Sequence, residues 1–189
     1  MPLLMLKDLP RYECLLEAAR EFPDLDPSAT EVFLNLLRAG DEAFRVVEAH
    51  LARHEITQGR FGVLMALMSN RNPATKDASA LSPAELADRT GVTRATITGL
   101  VDTLERDGLV VRTPDPEDRR MLSVGLTDRG EKLLRTILPP HFRQMAWLME
   151  PLSEGERKTL VRLLTKVLER AASVVPAATP ESAAMSGGH

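Results

Sequence analysis

The sequence predicts a mainly α-helical chain with one small β wing. Three observations predict it. Apolar residues recur at helical spacing through most of the 189 residues. Capping signatures mark helix starts at Ser28, Ser82 and Ser153. Only between 109 and 126 does the pattern change, to two short β-rich runs separated by a turn dense in proline and charge.

The elements follow in chain order. Leu9 to Arg20 carries an amphipathic helical pattern, interrupted by Pro23 and Pro27. Ser28-Ala29-Thr30-Glu31 has the form of a capping box and starts a long helix reaching about Arg53. Val32, Leu36, Ala39, Ala43, Val46 and Val47 trace its apolar stripe. A third helix follows Thr57, passes through Met65 and stops before Asn70-Arg71-Asn72-Pro73. Residues 72–80 form a polar loop.

Ser82-Pro83-Ala84-Glu85 opens a short helix: serine and glutamate can satisfy each other's backbone N–H groups, and proline suits the first helical position. Gly91 closes it, because a left-handed residue is needed to turn the chain sharply. Thr93 is the expected N-cap of the next helix. Val92, Ile97, Leu100, Val101 and Leu104 fall on its inner side, and Ala95, Thr96, Thr98, Gly99, Asp102, Thr103 and Arg106 on its outer side. Threonine and glycine lower helix propensity, so an ordinary solvent face gains nothing from them. Small residues let a helix approach a partner closely, and hydroxyls bond phosphates or base edges. Arg94 stands at the N-terminus, where free N–H groups also favour phosphate.

Gly108 ends that helix. Leu109–Thr113 and Met121–Leu126 read as paired strands around the tip Pro114-Asp115-Pro116-Glu117-Asp118-Arg119-Arg120. Arg119 and Arg120 are cations suited to a narrow, electronegative minor groove, and Asp118 can fix the pose of one of them. Helix, turn, helix and basic ribbon together make a winged helix-turn-helix, which fits one helix to the major groove of double-stranded DNA.

After Thr127 a helix runs towards Ile137, and Pro139-Pro140 is expected to break or kink it. The pattern resumes through Phe142, Met145, Trp147 and Leu148. Ser153-Glu154-Gly155-Glu156 caps a last helix whose apolar face holds Leu160, Val161, Leu163, Leu164, Val167 and Leu168. That face exceeds what a terminal helix needs on one small domain, so it predicts pairing with a second subunit. The expected organisation is 1–56 and 128–172 as dimerising helices, 57–127 as the winged DNA-binding unit, and 173–189 as a disordered Ala/Pro/Ser/Gly tail.

The wing residues Asp118-Arg119-Arg120, followed by Leu122, Val124, Leu126-Thr127 and Gly130, resemble the signature of the MarR family of transcriptional regulators. Leu86-Ala87, Val92-Thr93, Thr98, Val101, Leu104-Glu105, Gly108-Leu109-Val110 and Arg112 fit the same pattern, as do Thr57, Phe61, Val63-Leu64 and Leu67. The resemblance covers roughly residues 27–170. It implies a homodimer on a pseudo-palindromic operator, with Asp118 orienting Arg120 into the minor groove. It puts the recognition-helix contacts on Thr93, Arg94, Ala95, Thr96 and Thr98. It also implies release of DNA by a small-molecule effector or an oxidant.

Composition sets the bounds. A net charge of −3, with seven Lys and Arg against nine Asp and Glu over 82–130, requires any DNA affinity to come from placement. Arg94, Arg112, Arg119 and Arg120 must then face the duplex while Glu85, Asp88, Glu105 and Asp107 face away; Arg60, Arg71 and Lys76 could extend that surface. A single cysteine leaves no internal disulfide, and no run approaches 18 apolar residues, so a cytoplasmic protein without a membrane partner is expected. Nucleophile elbow, phosphate loop, paired zinc cysteines and His-Glu-x-x-His are all missing from the sequence, and neither an enzyme nor a cofactor is expected.

What the chain senses stays open at this level. Cys14 beside Tyr12 offers a redox reading, though only Arg11 is near to activate the thiol. His50 and His54 have the four-residue spacing of two metal ligands, but Glu48, Glu55 or His141 would have to complete a site, so no metal is expected. The N-terminal helix and the Asp24-Leu25-Asp26 turn resemble the urate-responsive branch of the family, yet that branch's tryptophan is missing here, Trp147 being the only one. The default is an apolar or phenolic ligand near Phe33, Leu37, Phe44, Phe61 and Met65, between the long helix and the winged unit. A winged-helix module for protein contact, without DNA, is the alternative from another class.

Overall fold

The computed structural model describes residues 8–70, 80–114 and 122–174. In chain order they form α1 (Tyr12–Glu21), α2 (Pro27–Ala52), α3 (Gln58–Ser69), α4 (Pro83–Thr90), α5 (Arg94–Arg106), β1 (Val110–Pro114), β2 (Leu122–Leu126), α6 (Asp128–Leu148) and α7 (Glu154–Val174). Residues up to 142 form one compact unit and those from 143 onward a second. The wing tip with Asp118, Arg119 and Arg120, the basic candidates Arg71 and Lys76, and most of the expected tail lie outside the described residues.

The first unit is built around α3, α4, α5 and the two-stranded sheet. Leu64, Leu86, Ile97, Leu104, Val124, Leu134 and Ile137 are fully buried there. Burying a side chain of this size contributes on the order of 1.5–3 kcal/mol. The strands pair antiparallel, from Val110 opposite Leu126 to Pro114 opposite Leu122. Leu81 adds a third rung: its N–H donates to Val124 O at 2.9 Å, and Val124 N–H donates back at 2.8 Å. That pair ties the segment before α4 to the wing, a connection that the reading of 72–80 as a loop did not contain.

Three helix starts have distinct chemistry. Ser82 and Glu85 form the expected reciprocal box, with Ser82 N–H donating to Glu85 Oε2 at 2.8 Å and Glu85 N–H donating to Ser82 Oγ at 3.3 Å. Thr57 caps α3, its Oγ1 accepting from Arg60 N–H. The start of α2 corrects the sequence expectation: Asp26, not Ser28, is the cap, accepting from Ser28 N–H at 2.9 Å and Ala29 N–H at 3.0 Å. Pro27 explains the shift, because its fixed φ and missing N–H suit the first helical position and leave Ser28 inside the helix.

Pro139 and Pro140 do not end α6, which continues to Leu148. The two hydrogen bonds they remove would have ended on the carbonyls of Arg135 and Thr136, both exposed residues whose carbonyls water can satisfy. Leu134, Ile137, Leu138 and His141 are buried on either side of the prolines and hold the axis. Gly130 fixes where α6 crosses the winged unit. A Cβ there would stand 2.1 Å from Leu109 O, so only glycine permits this approach. Thr127 completes the joint: its hydroxyl donates to Gly108 O at 2.7 Å and accepts from Gly130 N–H at 3.1 Å.

The second unit holds the last turn of α6 and α7. Ser153 and Glu156 make the expected capping box, with Ser153 N–H donating to Glu156 Oε2 at 2.8 Å. No residue of α7 is buried, and Val161, Leu163, Val167 and Leu168 are exposed.

Candidate nucleic-acid interface

The helix-turn-helix forms because two short helices are joined by a glycine that can adopt a conformation others resist. Gly91 has φ 68° and ψ 26°, and its N–H closes α4 on Ala87 O. Thr93 then caps α5, its Oγ1 accepting from Thr96 N–H at 3.2 Å. The first amides of α5, those of Arg94 and Ala95, precede the point where intrahelical acceptors become available, so they remain donors for an anion.

Ile97, Val101 and Leu104 turn inward and are buried, while Ala95, Thr96, Thr98, Gly99, Asp102 and Arg106 are exposed. The predicted division of the helix therefore holds apart from Thr103, expected outside but half-buried, and Val92, which is 37% exposed and not part of the inner face. It sits on the turn before the cap, where helical periodicity has not yet begun. Thr93, Arg94, Ala95, Thr96 and Thr98 form one continuous exposed surface. Thr98 Oγ1 donates to Arg94 O at 3.0 Å, and the Thr93 and Thr96 hydroxyls lie 2.9 Å apart. Each oxygen keeps lone pairs for base amino groups or water.

Arg94 and Arg112 differ in what holds them. Arg94 is exposed and has no ion-pair partner among the described residues. Arg112, expected to face a duplex, has its guanidinium bonded to both Asp102 and Glu105, and its N–H donates to Glu105 Oε1 at 3.1 Å. The hydrogen bond that the guanidinium donates to Asp102, opposed by burial and reinforced by Glu105, raises its pKa above the ordinary arginine value. Arg112 thus clamps β1 to the second half of α5. Asp102, expected on the outer side of the helix, and Glu105, expected to face away from a duplex, hold it there. Nothing local in the sequence signals the pairing, since the partners lie seven and ten positions away across a helix end. Arg60 binds Asp107 in the same manner.

These pairings set two arginines against three of the acidic groups, cancelling two of their three charges. Asp102, Glu105 and Asp107 each face an arginine, while Glu85 is held in its capping box.

The five expected ligand-pocket residues separate. Phe33 and Phe44 are exposed on α2 at 58% and 43%, and Leu37 is half-buried. Phe61 is buried in the core, and Met65 packs against that core. Cys14 is a free, exposed thiol on α1. His50 and His141 are buried and stacked with ring centroids 5.5 Å apart, and His54 lies edge-on to His50 at 5.3 Å. His50 Nε2 is 3.3 Å from Ile137 O. Burial, and secondarily the charge of His50, pushes the pKa of His141 down. No group of three or more His, Cys, Asp or Glu among the described residues could hold a metal ion, and no helix among them is long and apolar enough to cross a membrane.

The sequence profile of the MarR family matches residues 54–121. The HTH-type transcriptional repressor YetL of Bacillus subtilis (strain 168) is 38% identical over 165 residues, spanning 87% of this chain and 95% of YetL. The structure of the Staphylococcus aureus MepR–DNA complex superposes with a TM-score of 0.62 at 25% identity, over 74% of this chain and 96% of MepR. That of Bordetella bronchiseptica BpsR, described with a mechanism for regulation of its DNA binding by 6-hydroxynicotinic acid, gives a TM-score of 0.60 at 26% identity, over 72% of this chain and 98% of BpsR.

Proposed function

This chain belongs to the MarR family, and from that premise we propose that it is a homodimeric, sequence-specific DNA-binding repressor relieved by a small ligand. The observation that carries the reading is the surface of α5. Its N-terminal turns expose Thr93, Arg94, Ala95, Thr96 and Thr98 with no large side chain among them, and Arg94 is free to bond a phosphate or a guanine. In this reading Arg120 supplies the minor-groove contact and Asp118 orients it, while Arg112 sets the angle of the wing.

Dimerisation is supported by apolar residues left open on three helices. Leu16 on α1, Val32, Phe33 and Phe44 on α2, and Val161, Leu163 and Leu168 on α7 are all exposed in the single chain. A two-fold pair would place two α5 helices one DNA turn apart and match a pseudo-palindromic operator. MepR has been captured on DNA and BpsR is regulated by a small acid; both observations support ligand-relieved DNA binding in this chain.

The test is to sequence DNA fragments retained by the purified protein and titrate the enriched fragment by gel shift. A shared inverted repeat bound with steep salt dependence is expected. Retention without a common motif would overturn sequence specificity.

A further inference from the structure

We propose that Gly99 is the point at which α5 comes closest to the floor of the DNA major groove, and that its missing side chain sets how deep the helix sits. This role rests on the reading of α5 as a DNA-binding helix, and it makes a residue with no side chain a determinant of specificity.

Nothing inside the chain asks for glycine at 99. The residue lies in the interior of a 13-residue helix, and its φ is not in the left-handed region. A Cβ there would meet nothing within 4 Å. The contrast is with Gly130, where a Cβ would strike Leu109 O, and with Gly59, where it would press on the Leu100 side chain at 3.2 Å. Glycine inside a helix is destabilising relative to alanine, because the unfolded chain has more freedom to lose. The fold would gain from alanine at this position, so the reason for glycine lies outside the single chain.

Its direction says where. Ile97, Val101 and Leu104 are the buried stripe of α5. At about 100° per residue, Gly99 falls roughly 200° round the helix from Ile97, opposite that stripe. Ala95 stands one turn earlier on the same line and is exposed as well. The neighbours stand low: Thr98 Oγ1 donates to Arg94 O at 3.0 Å and Thr103 Oγ1 to Leu100 O at 2.8 Å. Such bonds lay a threonine along its helix. Further on the profile rises, since Asp102 and Arg106 are both exposed and Asp102 is tied to Arg112. The helix is therefore slimmest towards its N-terminus, the end that enters a major groove in helix-turn-helix proteins. A helix about 10–12 Å across fills a groove about 12 Å wide, so depth depends on what projects towards the floor. A helix built to bind protein would carry a large anchor on that line.

Fluorescence anisotropy at fixed salt tests the role, with the full chain titrated against its enriched operator and against a random-sequence duplex. Gly99→Ala should raise Tm by about 2–4 °C while weakening operator binding. Gly99→Leu, which keeps a good helix former, should melt no lower than the parent chain and lose at least about tenfold in operator affinity. Affinity for the random duplex should stay within about twofold in both, because that mode is held by phosphates and does not need the helix at full depth. Gly62→Ala, in the interior of α3 with equally open surroundings, should leave operator affinity unchanged. Full operator affinity in Gly99→Leu, equal losses on both duplexes, a lowered Tm in Gly99→Ala, or a matching loss in Gly62→Ala would each overturn the role of Gly99. A parent chain that prefers no duplex over random sequence would remove the DNA-binding reading, and this role with it. A parent chain with an operator that Gly99→Leu binds equally well would remove this role alone.

Discussion

The winged unit and helix α7 solve the same problem in opposite ways. In the winged unit the apolar faces of α3, α4 and α5 close on one another and on the sheet, leaving Leu64, Leu86, Ile97 and Leu104 with no exposed surface. Helix α7 has a comparable stripe of aliphatic side chains and buries none of its residues. One region is complete within a single chain. The other carries apolar surface that a lone subunit leaves in water, which is why the dimer is proposed from α7, α1 and α2 and not from the winged unit.

The largest expected effect comes from breaking the closed region. Gly130→Ala places a methyl group 2.1 Å from Leu109 O. It should cost about 3 kcal/mol or more, seen as a large fall in the urea midpoint, because backbone and not a mobile side chain stands in the way. A near-wild-type melt would show that the α6 crossing is softer than this geometry.

Next comes the open region. Leu163→Glu with Leu168→Glu, on a helix with no buried residue, should convert a dimer at micromolar concentration to a monomer in light scattering. The far-ultraviolet circular dichroism spectrum should be retained. Dimer mass in the double variant would remove α7 from the proposed interface.

Three substitutions sharpen the contrast between a contacting and a held arginine. Arg120→Ala and Arg94→Ala should each weaken operator binding by about 1–3 kcal/mol without changing the melt. Glu105→Gln, which releases one bond of the Arg112 clamp, should cost up to about 1 kcal/mol of stability because the pair is part exposed. Its effect on operator affinity should be smaller than that of Arg94→Ala. The reverse order in a gel-shift series would make Arg112 a contact and not a brace.

The smallest effect concerns pH. His141 is held below the ordinary imidazole value of 6.5, first by burial and then by His50. The unfolded chain therefore takes up a proton at a higher pH than the folded one. The stability this contributes is present above about pH 6.5 and lost as pH falls from there towards the folded value. Urea midpoints between pH 7.5 and 5.5, values chosen to bracket an ordinary imidazole at about 6.5, should fall in the parent chain. They should fall less in His141→Gln.

Much of this was legible in the residues. The Ser82-Pro83-Ala84-Glu85 box, the Gly91 turn, the Thr93 cap and the alternation into β1 and β2 are local rules, and each element lies where its rule puts it. Misplacements occurred where two local rules competed. Ser28 has box spacing to Glu31, but Asp26 before Pro27 has the better cap geometry. Pro139-Pro140 reads as a break or a kink, and of the two a break does not occur: buried residues on both sides carry the helix through. The pocket candidates differ in burial, because apolar spacing does not distinguish a cavity wall from a packed core, where Phe61 lies.

The sequence by itself determined the starts of α3, α4, α5 and α7, the pairing of β1 with β2 and the small hydroxyl face of α5, because these depend on neighbours within a few positions. Only the tertiary structure decided which arginines are available. Arg60 meets Asp107 across 47 positions, and Arg112 meets Asp102 across ten. Those pairings arise where a helix end approaches a strand or another helix, a distance that no linear spacing encodes. They turn an acidic stretch of chain into a surface on which Arg94 stands uncancelled.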